Sequence, residues 1–330
     1  MKGTPRMNRR QLVRGGVAVA LSPLAAPALR AQGFDHTVRL IVPNAPGGTS
    51  DILARLVAPE LTRTLGQNVV VENRAGAGGN IGADVVAKSP PDGHTLLLMD
   101  VTTIATNPAL FPRLPFDNTK DLAPVTMLIY APYILAVANK LPVRDAAGLA
   151  AFLKSSPRPL NAGNSGVGTS SHLTLIQLAD AWGREMTHVP YRGGAPALTA
   201  VVSGEADLTI AGATQAQAYA TSNQLRAVAV TGAHRLAALP DVPTFREVGW
   251  PAVDAGTWQG VMAQGATPRP LLERLHAELA AALAQPAVAA RLKDLGGEPR
   301  TEGPDPFRRW LDQETETYTA LIRANNVRLD

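Results

Sequence analysis

Asn161-Ala-Gly-Asn-Ser-Gly-Val-Gly-Thr-Ser-Ser-His-Leu173 is the stretch on which the reading of this 330-residue chain turns. A short apolar strand from about Pro159 runs into three glycines and four hydroxyls, and an apolar-periodic helix follows. A helix start leaves its first N–H groups unpaired and carries a partial positive charge, so this pattern predicts an anion site built from backbone and hydroxyls. Ser and Thr are also ordinary N-caps, and the same residues read equally as a capped loop with no ligand.

Two sets of strand–loop–helix repeats flank this stretch. In the first, Thr37 to Val42 alternates as a strand and turns at Pro43 to Gly48; Thr49-Ser50-Asp51 then caps a helix that Pro59 is expected to kink or split. Asn68 to Glu72 and Thr95 to Met99 are further strands, the latter ending at Asp100. In the second, Val125 to Tyr130 and Tyr133 to Ala138 read as apolar segments broken by Pro132. Helices are expected over Asp145 to Lys154, Leu173 to Trp182 and Pro196 to Ser203, and strands over Leu160 to Ala162, Thr187 to Val189 and Asp207 to Ala211. Leu225 to Val230 is the expected return crossing, and Pro268 to Gln285, Ala287 to Leu295 and Asp305 to Asn325 are helical.

Such alternation predicts an α/β protein with mainly parallel sheets whose loops gather at the strand C-terminal ends. Two interleaved units imply two chain crossings, a hinge and a cleft for a small ligand. The expected division is residues 36–105 with 231–330 as one lobe and 106–230 as the other.

Residues 1–31 read as an export signal, with paired arginines at Arg9-Arg10, an apolar run from Gly15 to Leu29 and small residues for cleavage. The Arg-Arg-x-Leu core resembles a twin-arginine signal. Pro23 and Pro27 interrupt the run and argue against a membrane span. The chain has 31 Lys+Arg and 27 Asp+Glu, a formal charge of +4; removing the six cations of the acid-free first 31 residues leaves 25 against 27. A nucleic-acid partner therefore loses its electrostatic support. With no cysteine, a lipid anchor, disulfides, thiolate metal sites and a Cys nucleophile are all excluded.

Catalytic motifs fail one by one. The dinucleotide fingerprint beginning at Gly76 breaks at Ile81, Gly47-Gly48 lacks the phosphate-loop Lys, and Gly163-x-Ser165-x ends in Val167 instead of glycine. The six histidines show no ligand-pair spacing, so neither metal nor cofactor is expected. His172 is expected to pack under the glycine loop with one nitrogen on the backbone. A hydrolase or isomerase built on His172 and its hydroxyls is the least supported class.

The ordered set Pro46-Gly47-Gly48-Thr49-Ser50-Asp51, Glu72-Asn73-Arg74-x-Gly76-Ala77-Gly78-Gly79, Pro91-Asp92-Gly93, Gly166-x-Gly168-Thr169-Ser170-Ser171-His172-Leu173, Val189-Pro190-Tyr191-Arg192-Gly193 and Leu239-Pro240-Asp241-Val242-Pro243-Thr244 spans nearly the whole mature chain. It resembles the Bug family, the periplasmic solute-binding receptors of tripartite tricarboxylate transporters. The resemblance implies a type II periplasmic-binding-protein fold closing on an organic carboxylate, non-enzymatic capture, and delivery to membrane permease subunits by a monomer. A receptor that signals its liganded state is the alternative.

The resemblance also implies ligand contacts from Pro46, Gly47, Gly48, Thr49 and Asp51 in one lobe and Ser165, Gly168, Thr169 and Ser170 in the other. In that reading Thr49 caps, Asp51 holds a water, Thr169 and Ser170 donate, and Tyr191 is a wall or further donor. Asp100, Thr102, Ala211 and Thr214 complete the candidate set. Many relatives carry a small hydroxyl residue in place of Asp100 and an acid or amide within Ile210 to Thr214. With that stretch uncharged here, the expected ligand is a carboxylate without a strong positive charge.

Overall fold

Strand β4 (Leu122–Val137) is the spine of the molecule: sixteen residues, every one buried. The computed structural model describes residues 33–111, 113–250 and 255–328; the export signal expected over 1–31 lies outside them.

Along the chain run β1 (Val38–Val42), α1 (Thr49–Leu65), β2 (Val69–Asn73), a 3-10 turn at Ala77–Gly79, α2 (Asn80–Ala87), β3 (Thr95–Asp100), α3 (Val101–Leu110) and β4. There follow α4 (Ala146–Ser155), β5 (Leu160–Asn164), α5 (Ser170–Trp182), β6 (Met186–Pro190), α6 (Gly194–Ser203), β7 (Leu208–Gly212), α7 (Ala213–Thr221) and β8 (Arg226–Val230). The chain closes with β9 (Gly256–Gln264), α8 (Arg269–Ala284), α9 (Pro286–Asp294), β10 (Glu298–Pro299) and α10 (Pro304–Ala324). Strand order is β2-β1-β3-β9-β4-β7-β5-β6, with β8 and β10 also pairing β4.

The sheet has two halves that share β4. In the first, β1 is parallel to β2 and β3, and β9 runs antiparallel between β3 and residues Leu122–Pro132 of β4. In the second, Tyr133–Val137 of β4 pairs antiparallel with β7, and β5 lies parallel to β6 and β7. Each half has its own apolar core. Leu40, Leu53, Val57, Leu96, Val261 and Leu275 pack under α1 and α8 in the first, and Leu135, Leu149, Leu175, Leu208 and Phe245 in the second.

The sequence reading of Pro132 as a break is corrected by this arrangement. Pro132 is the last β4 residue paired with β9, opposite Gly256, and the next residue, Tyr133, starts the pairing with β7. A proline is tolerated where one ladder hands over to another, because no partner strand requires its missing N–H. Pro59 likewise neither splits nor ends α1, which runs unbroken from Thr49 to Leu65. It sits on the exposed face, where water can take the carbonyl freed one turn earlier.

Three further corrections concern elements whose sequence signal is weak. The N-cap of α1 is Gly48, with Thr49 already inside the helix. The segments Val101–Leu110 and Ala213–Thr221, to which the residue pattern assigned no element, are helices. Strand β9, whose Thr-Trp-Gln-Gly start mixes polar and small residues, carries the return crossing; β8 stays in the second half, paired with Ile134–Val137.

Gly265 closes the β4–β9 seam: its N–H donates to Asp121 O at 2.8 Å, and a Cβ there would lie 1.7 Å from Lys120 O. Backbone cannot move aside as a side chain can. Gly265→Ala should destabilise the fold by about 1–3 kcal/mol, read as a lower urea midpoint; an unchanged midpoint would show that the seam relaxes freely.

Candidate functional site

Helices α1, α6 and α7 start at glycine N-caps, Gly48, Gly193 and Gly212, and none has a side-chain capping bond. Residues at all three starts line one cavity between the two half-sheets, which is open to solvent. Glycine has no oxygen to offer the first-turn N–H groups, so those donors and the positive ends of three helix dipoles are left for whatever occupies the cavity. Asp100 is the only charged side chain among the described residues lining it.

On the second half, the glycine-rich stretch supplies a hydroxyl cluster. Thr169 Oγ1 donates to Gly166 O at 2.7 Å, Ser165 Oγ donates to Thr169 Oγ1 at 3.0 Å, and Ser165 and Ser171 hydroxyls are 2.8 Å apart. Ser165 N–H donates to Ser171 Oγ at 3.0 Å. With Thr169 committed to Gly166 and Ser165 to Thr169, Ser171 donates the 2.8 Å bond to Ser165, so a ligand that takes a hydroxyl hydrogen here replaces a bond of the cluster. Thr169 also caps α5 by accepting from His172 N–H at 3.4 Å.

His172 sits as expected from the sequence, buried beneath the loop, with Nδ1 accepting from Gly168 N–H at 3.0 Å. That bond fixes the tautomer and withdraws the Gly168 donor from any ligand. Burial, with nearby His188 adding to it, pushes the imidazole pKa down to about 4.

The halves also touch directly. Thr214 Oγ1 donates to Thr49 Oγ1 at 2.8 Å. Ser170 Oγ donates to Asp100 Oδ2 at 2.7 Å and itself accepts from Tyr133 OH, forming a buried chain from phenol to carboxylate. Asp100 Oδ1 accepts from Thr102 N–H at 3.1 Å and so caps α3. Burial pushes the Asp100 carboxyl up, against the pull of Ser170 and Thr102. Burial and Asp100 together push the Tyr133 phenol well up, keeping it a neutral donor.

Of the residues singled out from sequence, Gly48, Thr49, Asp100, Ser165 and Ala211 line the cavity; Thr214, Ser170 and Thr102 stand directly behind it through the bonds above. Asp51 does not reach it. Its carboxylate accepts from Gly47 N–H at 2.9 Å and Asn73 Nδ2 at 3.1 Å and pairs with Arg55 at 2.9 Å. Burial alone would raise its pKa, but these partners outweigh it and hold the carboxyl below its ordinary value. Asp51 thus shapes the Pro46–Gly48 turn from behind.

Pro46 and Tyr191 flank an outer groove instead. The Tyr191 hydroxyl donates to Glu205 at 2.8 Å, and burial with that bond pushes its pKa up to about 12. Thr169 and Tyr191 also border a neighbouring space that shares Asn44 and Ser165 with the central cavity.

Sequence reasoning missed Asn44, Ser50, Tyr133, Ser171, Gln215, Thr257 and Gln259, all of which line the cavity. Ser171 lay inside the opening stretch and was overlooked. Gln259, which accepts from Ser50 Oγ at 2.7 Å and donates to Thr257 Oγ1, sits on the strand whose pattern was weakest. Away from the cavity, Asp35, His36 and His94 bring ligand-type atoms within 4.8 Å of one another at the strand ends opposite these loops; nothing in the histidine spacing suggested that grouping.

Two half-sheets joined by a crossing strand, with helix starts meeting in the cleft, are the architecture of two-lobed solute-binding proteins. The solved structure of the periplasmic binding protein BugD superposes with a TM-score of 0.84 at 32% identity, covering 90% of this chain and all of that one. MatC from Rhodopseudomonas palustris, with bound malate, gives 0.81 at 34% identity over 87% and 99% of the two chains. A second R. palustris protein, with adipate, gives 0.85 at 33% identity over 89% and 99%.

Residues 53–327 match the tripartite tricarboxylate transporter family receptor, TctC. The chain belongs to that family, the Bug receptors resembled by its motifs, and is a solute-binding transport receptor, not an enzyme.

The His172 environment sets a pH dependence. Above the ordinary value of 6.5 the ring is neutral in both folded and unfolded chains; between 6.5 and about 4 only the unfolded chain takes the proton. Stability should therefore fall as pH drops through that window, by about 3 kcal/mol in all, and change no further on this account below it. His172→Gln should flatten much of the slope in urea melts from pH 7 to 4, and an identical slope in the variant would assign the loss to other groups.

Proposed function

We propose that this chain captures a small organic carboxylate in the central cavity and delivers it, as a monomer, to the membrane permease subunits of a tripartite transporter. Residues 36–105 with 231–330 form one closing lobe and residues 106–230 the other. Residues 1–31 direct export to the periplasm, with Arg9-Arg10 favouring the twin-arginine route.

The observation that carries this reading is the convergence of three uncapped helix starts and a Ser/Thr cluster on a cavity without a cationic side chain. Backbone donors fixed by the fold hold a carboxylate without the reorganisation a mobile Lys or Arg would require. The relatives with malate and adipate are consistent with the ligand class. The candidate contacts fall into two groups. Gly48, Thr49, Ser165 and Ala211 meet the ligand. Pro46, Gly47, Asp51, Thr102, Gly168, Thr169, Ser170, Tyr191 and Thr214 hold the loops that present them.

A thermal-shift panel of mono-, di- and tricarboxylates tests the proposal. A ligand at a hundred times its dissociation constant adds about 2.7 kcal/mol of stability, a readily measured rise in Tm. Shifts from neutral sugars and none from carboxylates would refute it. Ser165→Ala combined with Ser171→Ala should weaken the best carboxylate about tenfold or more by removing hydroxyl donors, with little change in the Tm of the free protein. Undiminished affinity would place the site elsewhere.

A further inference from the structure

At the end of the sheet away from the cavity, Asp35 and His36 lead into β1 and His94 leads into β3. The two strands run side by side, with Arg39 opposite Thr95, and Arg39 N–H donates to His94 O at 2.7 Å. Strand pairing thus creates a grouping that spacing along the chain hides. One ligand-type atom from each of the three side chains lies within 4.8 Å of the other two. Asp35 is central: its Oδ1 is 2.6 Å from His36 Nδ1 and 3.4 Å from His94 Nε2.

The anomaly is His94. Its side chain is only 10% exposed, yet neither ring nitrogen makes a hydrogen bond. A neutral imidazole carries one donor and one acceptor, and leaving both unmade inside a protein costs free energy. Nε2 is the nitrogen nearer Asp35, and Nδ1 stands 3.3 Å from Asp92 Oδ1. That same Asp92 oxygen accepts from His94 N–H at 2.9 Å. A carboxylate behind one nitrogen is how proteins orient an imidazole whose other nitrogen holds a metal ion. The ring is also fixed by packing, with Phe34 edge-on at 5.0 Å and His36 stacked at 3.6 Å.

We propose that Asp35, His36 and His94 bind a divalent transition cation of the zinc class, with Asp92 as the positioning residue for His94. Two imidazoles and one carboxylate suit zinc, copper or nickel and are too poor in oxygen for magnesium or calcium. With bonds of about 2.0–2.1 Å in a tetrahedral zinc site, ligand atoms stand about 3.3 Å apart, so the three side chains must draw together. Asp35 and His36 are 81% and 61% exposed and can turn to do so around the buried His94. The cation replaces the hydrogen between Asp35 and His36, gives the His94 lone pair its partner and keeps a water in the fourth position. It ties the segment before β1 to the start of β3, and it is independent of the carboxylate reading of the cavity at the other strand ends.

Calorimetric titration of zinc chloride into the protein, purified without a histidine tag and stripped with a chelator, tests this. One Zn²⁺ per chain should bind and raise Tm, while Mg²⁺ and Ca²⁺ at the same concentration do neither. His36→Ala and His94→Gln should each weaken Zn²⁺ binding by more than about tenfold, and Asp92→Asn, which keeps an acceptor for His94 N–H, by about tenfold. His36 is exposed, so its loss of binding should come with an unchanged Tm of the metal-free protein, which excludes a folding defect as the cause. His234→Ala, at an exposed histidine elsewhere, should bind Zn²⁺ as the unmodified protein does. Absence of saturable Zn²⁺ binding, affinity retained in both His36→Ala and His94→Gln, or an equal loss in His234→Ala overturns the proposal.

Discussion

Everything at the cavity depends on leaving the first turns of three helices uncapped. A buried N–H without an acceptor costs free energy, so a fold that aims several at one point is stable there only if water or a ligand fills it. Gly48, Gly193 and Gly212 create this condition by having no side chain to close it. The contrast with α3, α4 and α5 is instructive. Asp100, Asp145 and Thr169 cap those helices with their own oxygens, and none of those starts offers its first N–H groups in the same way.

Strand β4 turns this local chemistry into a cleft. Because its two segments belong to different ladders, the junction at Pro132–Tyr133 is the point about which the two half-sheets meet. Polar bonds cross the cavity from Thr49 to Thr214 and from Asp100 to Ser170. Such bonds exchange readily for bonds to water. The larger cores on either side are apolar and separate, and a smaller apolar cluster of Leu110, Leu173 and Ile322 joins α5 to α3 and α10.

Much of the architecture was legible from residue pattern. β-branched alternation located β1, and the glycine loops located helix starts. The errors have physical sources. Prolines 59 and 132 break regular structure only when their missing N–H is needed, and neither local sequence reveals whether a partner carbonyl waits for it. β9 is mixed in polarity because it is buried between β3 and β4 while its Thr257 and Gln259 face the cavity, so it shows no clean period of two. Asp51 and Tyr191 read as ligand groups from their glycine-rich loops; their side chains are engaged by Arg55 and Glu205, residues whose proximity is set by helix geometry and by packing.

What the sequence by itself determined is therefore most of the elements, the α/β class, the family, and the presence of glycine–hydroxyl turns able to receive an anion. These follow from local conformational preference and hydrophobic period, which act over a few residues. Only the tertiary structure decided which of those turns face each other, which polar side chains are spent on neighbours, and that the one carboxyl lining the cavity among the described residues is Asp100. Those are outcomes of packing between residues as far apart as Ser50 and Gln259 or Asp100 and Ser170, and a hydrogen bond is settled by tenths of an ångström that no local pattern encodes.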